Sequence, residues 1–235
     1  MPGEKRTLLQ KMTVLAPEGM LLAGITGLGY FSAYLSDLGY KSHFQLPSMF
    51  VEINLNSVVL SICVIIFTLF IAFLSVTVPR LQKVGPHLFS FFITVAVAIV
   101  IGMKVSFSLS RTHLFTLIFY FLLCAGLLLL FFQLTKKGNR IAHLAAVIVL
   151  LGLMIFVSYS SGSLIAQNQK FFLVSDGKSP VVVVDTYKDS LVVAPFDPKT
   201  KTVAQRYQFV HLESDLHAKL NFSMKKVGPL HLSIE

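Results

Sequence analysis

The chain has 235 residues, 54% of them hydrophobic and 13% charged, and a formal net charge of +9. Soluble domains average roughly 45–50% apolar and about 25% charged residues. This composition therefore argues against an ordinary water-soluble domain and for one in contact with lipid.

Residues 1–13 form a basic start carrying Lys5, Arg6 and Lys11. A first helix is expected over about 14–36, with Pro17 suited to a first helical turn and Glu18 to the positive end of the helix dipole. Its polar start and lack of a small-residue cleavage site do not fit a signal peptide. Residues 57–78, 88–103, 112–134 and 141–169 contain no Asp, Glu, Lys or Arg. About 20 apolar residues at 1.5 Å each cross a hydrocarbon core of roughly 30 Å. Helices are therefore expected at about 56–78, 86–106, 112–134 and 140–162. With the first helix, they predict an α-helical integral membrane protein of about five transmembrane helices over residues 1–165. PRLQKVGPH and TKKGNR supply turn chemistry between helices.

From residue 166 the period changes. KFFLVS, PVVVVDT, DSLVVAP and VAQRYQFVHL are rich in Val, Phe and Tyr and are separated by turn-forming sequences. They predict a soluble, β-rich antiparallel module over 166–235. About 70 residues without a disulfide give a marginal core, so this module is expected to lean on the helices or on another subunit. Asp185, Asp189, Asp197 and Asp215 read as turn formers.

Orientation follows from the short-loop cations. A cytoplasmic N-terminus places Lys5, Arg6, Lys11, Arg80, Lys83, Lys136, Lys137 and Arg140 inside, against Lys41, Lys104 and Arg111 outside. The tail then lies outside a multi-pass cell membrane, in the manner of a bacterial inner-membrane protein. Nine Lys/Arg and seven Asp/Glu give the tail +2 and leave +7 on the rest. That excess fits charge sorting and anionic headgroups, so no nucleic-acid partner is expected.

Gly19, Ala23 and Gly27 recur every four residues, as do Thr94, Ala98 and Gly102. Small residues on one face let helix backbones approach closely in lipid. Both sets predict helix packing, against a helix of the same chain or of another subunit in a homo-oligomer. Cys63 and Cys124 read as small packing residues. The seven histidines include no HExxH and no zinc spacing, and His211 with His217 is a weak pair; no metal is expected. The sequence has no nucleophile elbow, P-loop or dinucleotide fingerprint, so neither an enzyme nor a cofactor is expected.

The segment 39–59, GYKSHFQLPSMFVEINLNSVV, is unusually apolar for a connector. From Pro47 a short helix would place Met49, Phe50 and Ile53 on one face and leave Glu52 and Asn54 wet. Residues 44–53 are thus expected to form an amphipathic turn at the outer interface, with Phe44, Met49, Phe50 and Ile53 turned to lipid or helix packing. Gly39, Tyr40, Phe44, Leu46, Pro47, Phe50, Val51 and Ile53, with Tyr30 or Tyr34 upstream, and the later Ala194-Pro195-Phe196-Asp197 turn carry a resemblance. In these residues the chain resembles a widespread group of uncharacterised bacterial polytopic membrane proteins that end in a small β-rich tail. The resemblance implies the architecture and carries no catalytic residues.

The expected function is an oligomeric scaffold or envelope sensor that docks a protein partner through its tail. One form of it is a membrane component of a bacterial antiphage defence system, similar in plan to that of Kiwa. The alternative is an oligomeric channel, its path edged by Ser106, Ser108, Ser110 and Thr112 or by Ser158, Ser160, Ser161 and Ser163.

Overall fold

The computed structural model describes residues 18–77, 84–105, 111–136, 139–176, 180–211 and 221–233. They form helices α1 (Glu18–His43), α2 (Leu55–Thr77), α3 (Gly85–Val105), α4 (Arg111–Lys136) and α5 (Arg140–Asn168). Strands β1 (Phe171–Ser175), β2 (Val181–Tyr187), β3 (Ser190–Asp197), β4 (Thr202–Val203), β5 (Gln208–His211), β6 (Phe222–Lys226) and β7 (His231–Leu232) follow. The Asn139 side chain accepts from Ile141 N at 3.4 Å, which satisfies one of the free donors at the start of α5.

The described residues do not show the five membrane spans expected. Among the described residues one helical segment, Leu144–Asn168, is long and apolar enough to cross a membrane, and only 22% of its most apolar window is buried inside the chain. At 1.5 Å per residue its 25 residues reach about 37 Å. Among the described residues the apolar stretches Leu55–Phe67 and Ile118–Phe131 fall in the 10–17-residue range, short of the roughly 20 that a span needs. The helix α1 runs seven residues further than expected, and this brings Asp37 and Lys41 into it. Among the described residues the corrected architecture is five helices, one of them a span candidate, joined to a seven-stranded sheet.

The β module is more elaborate than a meander. Strand order is β6-β1-β2-β3-β4-β7, with β5 also paired to β3. The run expected as one strand over 203–212 divides into β4 and β5, which pair with different stretches of β3. Residues 166–168 belong to α5, and only Gln169 and Lys170 separate that helix from β1. Alternating side chains Phe172 and Val174, Val192 and Ala194, with Val182, Val184 and Phe196, build a buried core. Four residues from outside the strands complete it: Phe44 and Leu46, immediately after α1, Ala166 of α5, and Leu230 just before β7.

The closest helix crossing lies between α1 and α5. A Cβ on Gly162 would collide with the Ser36 carbonyl oxygen and lie 2.7 Å from its carbon and 3.0 Å from Tyr40 N. A Cβ on Gly39 would similarly strike the Tyr159 carbonyl. These obstacles are backbone and cannot rotate away. Gly162→Val should therefore lower stability by about 1–3 kcal/mol through forced separation of the helices. Gly27→Leu should leave the melting of the single chain nearly unchanged, since a Cβ at Gly27 meets nothing within 4 Å. Thermal unfolding of the monomeric fraction of both variants in one detergent checks the contrast, and equal melting temperatures would contradict it.

Candidate functional site at the helix-sheet junction

The last turn of α1 presents Asp37, Tyr40 and Lys41 to the sheet. The i,i+4 spacing sets Lys41 Nζ 2.6 Å from Asp37 Oδ2, and the same nitrogen lies 2.8 Å from Asp185 Oδ2 on β2. The Lys41 side chain is 1% exposed, while Asp37 and Asp185 retain 23% and 15%.

Asp185 reaches Lys41 because of a bulge in β2. Val183 opposes Val193, but Asp185 opposes Val192, so Val184 is an extra residue. Opposed residues share a face, which puts Asp185 on the face of Val192 and Ala194, where α1 docks. The reading of Asp185 as a turn former is thereby corrected. It sits inside a strand as half of a buried ion pair. An acidic residue within PVVVVDT, together with Asp37 and Lys41 four apart, was the available signal.

Neighbouring polar groups brace this triad. Asp37 Oδ2 also accepts from Glu52 N at 3.0 Å, and Glu52 Oε2 accepts from Lys188 N at 2.7 Å. That second bond holds the tip of the β2–β3 hairpin, where Lys188 adopts a left-handed φ of 50°. The Tyr40 hydroxyl donates to Val184 O at 2.9 Å and shares its proton with Gln169 Oε1 at 3.1 Å. Tyr207 donates to the Phe44 carbonyl.

The protonation states follow from burial set against these partners. Burial pulls the Lys41 ammonium down, but the hydrogen bonds and charges of Asp185 and Asp37 outweigh it and hold the group above the usual lysine value. Burial raises the Asp185 carboxyl, and Lys41 offsets only part of that rise. Burial, then the charges of Asp185 and Asp37, push the Tyr40 phenol well above its ordinary value. The Tyr207 phenol is pushed up to about 12 by burial. Both tyrosines therefore remain donors at neutral pH.

Beside the triad opens a cavity of about 720 Å³ between α1, α2, α5 and β2. Its walls carry two serine pairs that link α1 to α5: Ser32 with Ser158 at 2.8 Å and Ser36 with Ser161 at 3.5 Å. These are two of the serines expected to edge a pore. Their hydroxyls are engaged within the chain, and Ser106, Ser108 and Ser110 lie outside the described residues.

The remaining sequence-singled residues are dispersed. Tyr40 belongs to α1 and not to a loop. Phe44 turns inward to the sheet core instead of toward lipid. Pro47 precedes a 3-10 turn at Ser48–Phe50, Met49 is 74% exposed, and Ile53 is exposed at the cavity rim. Phe50 packs on Tyr187 and Phe209, with ring centroids 5.2 and 5.0 Å away. The shared face expected for Met49, Phe50 and Ile53 is thus split, because the Ser48–Phe50 turn is too short to align them. Gly19, Ala23 and Gly27 lie on an exposed face of α1, and a Cβ at Gly19 or Gly27 would meet no described residue within 4 Å. Thr94 and Ala98 are half-buried on α3, and Gly102 follows on the same helix. Cys124 packs with Leu128 and Leu153 in a second core, whereas Cys63 is exposed. His211 Nδ1 faces Ser190 Oγ at 3.3 Å, and His217 lies outside the described residues. Among the described residues no group of three His, Cys, Asp or Glu could hold a metal ion.

No protein-family model, curated protein or solved structure matches this chain.

Proposed function

We propose that the chain is a membrane-anchored scaffold or envelope sensor, held in the bilayer by α5, whose C-terminal sheet docks a protein partner. The observation that carries this reading is the rigid join between span candidate and sheet. Two residues connect α5 to β1, and Phe44, Leu46 and Ala166 are buried in the sheet core. A docking event on such a sheet is transmitted to the helices, whereas a flexible linker would absorb it. The outward small-residue face of α1 offers a helix-packing surface to a second copy.

Charge sorting orients the anchor. Lys136, Lys137 and Arg140 precede the span and Lys170 follows it, which places the start of α5 in the cytoplasm and the sheet outside a bacterial inner membrane. Single cysteines at Asn139 and Lys199, in a chain with Cys63→Ala and Cys124→Ala, test this with an impermeant thiol reagent on cells with a permeabilised outer membrane. The expected result is labelling at 199 and protection at 139 until the inner membrane is opened. The reverse pattern refutes the orientation. A photoreactive residue at exposed Met224 tests docking: a discrete adduct with another polypeptide is expected, and its absence counts against a docked partner.

A further inference from the structure

The junction cavity is polar at one end and apolar at the other. At the sheet end stand Asp37, Lys41, Glu52, Asp185 and Lys188. Along α2, six to ten residues beyond Asn54 and so about 9–15 Å away at helical rise, the lining becomes Leu60, Val64, Ala96 and Val157, beside the Ser32 and Ser158 hydroxyls that bond each other. Its volume of about 720 Å³ lies within the roughly 300–1,000 Å³ of small-molecule sites.

The charges select among headgroups. Three carboxylates face two ammonium groups, and Lys41 is already paired with two of those carboxylates. The Lys188 ammonium lies 5.3 Å from the Tyr187 ring centroid, over its face. An anion would meet surplus negative charge and find Lys41 engaged. A cation would gain charge-assisted hydrogen bonds to carboxylate oxygens. Ser57 and Ser61, one turn apart on the α2 wall, add two half-buried hydroxyls between the two ends.

We propose that this cavity binds an amphiphile with a primary-amine headgroup, the amine seated among Asp37, Glu52 and Asp185 and the apolar chain running along α2 toward Val64 and Ala96. This site is independent of the docking surface, so its test neither relies on nor decides that reading.

The test uses the full chain in detergent and an alkylamine bearing a diazirine at the chain end. Crosslinks should map to the α2 segment 57–64 and to the facing part of α3 or α5. Octylamine should compete at a concentration at least about tenfold lower than octanoate, a difference of about 1.4 kcal/mol. Ser61→Phe, checked for unchanged melting, should abolish labelling by filling the cavity. If that variant does not fold, the crosslink map and competition order in the unmodified chain still decide. Labels spread evenly over exposed helix faces, or octanoate competing as well as octylamine, would overturn the proposal. Competition by ethanolamine equal to that of octylamine would also overturn it, because the site would then read the amine without the chain. A lysophospholipid with an ethanolamine headgroup distinguishes the sources: stronger competition than octylamine assigns a membrane lipid, and weaker competition assigns a free long-chain amine.

Discussion

Lys41→Met is expected to destabilise the protein by about 3–5 kcal/mol, the usual cost of removing one partner from a buried ion pair. The methionine fills nearly the same space, so packing is largely kept. What changes is that Asp37 and Asp185 face each other's charge without a cation. The loss should depend on pH. Burial already raises the Asp185 carboxyl, and removal of Lys41 raises it further. A group whose folded pKa exceeds its unfolded value contributes stability at low pH and loses it as pH rises through the folded pKa. The deficit of Lys41→Met should therefore be smallest in acid and grow toward neutrality. Adding Asp37→Asn and Asp185→Asn should recover most of it at pH 7. Denaturant unfolding across pH checks both statements; a pH-independent deficit, or no recovery in the triple variant, would contradict the charge argument.

Phe44→Ala should cost a further class of stability, about 3–5 kcal/mol, from lost burial and the cavity left behind. Phe44 is 1% exposed and sits in one cluster with Phe172, Val182 and Leu230. Its ring also packs against Tyr40 and His43, with centroids 5.4 and 4.9 Å away. The loss should appear as faster amide exchange in β1–β3 as well as in the end of α1, because one side chain belongs to both bodies. Met49→Ala, five residues on and mostly exposed, should stay within about 0.5 kcal/mol of the parent. If both variants unfold alike, the placement of Phe44 in the sheet core is wrong.

Helix positions were legible in the sequence because long apolar runs bounded by Pro, Gly and charge are local signals. The starts of α2 to α5 fall within one residue of expectation. The strand runs 171–175, 181–187 and 190–197 were legible for the same reason, as Val- and Phe-rich stretches between turns. Three things were not. The number of spans is one: five were expected, and among the described residues a single apolar helical stretch, Leu144–Asn168, reaches spanning length. The partner of the Gly19, Ala23 and Gly27 face is another, because a four-residue spacing says which residues share a face and not what that face meets; the tight crossing within the chain uses Gly39 and Gly162, the latter in its own four-residue series with Ser158 and Ala166. The junction was missed because Lys41 was counted as a loop cation and Asp185 as a turn residue. Their pairing depends on a one-residue bulge in β2 and on seven more residues of α1, neither of which leaves a periodic trace.

The two-residue join between α5 and β1 has a mechanical meaning. The apolar segment of α5, about 37 Å long, exceeds a hydrocarbon thickness of roughly 30 Å, and an over-long span is accommodated mainly by leaning. Gln169 and Lys170 leave no slack to absorb that lean, and Tyr40 ties Gln169 to the Val184 carbonyl of β2. Under the proposed anchoring by α5 the sheet must therefore turn with the helix like a vane on a shaft, so its angle to the bilayer plane would follow local membrane thickness.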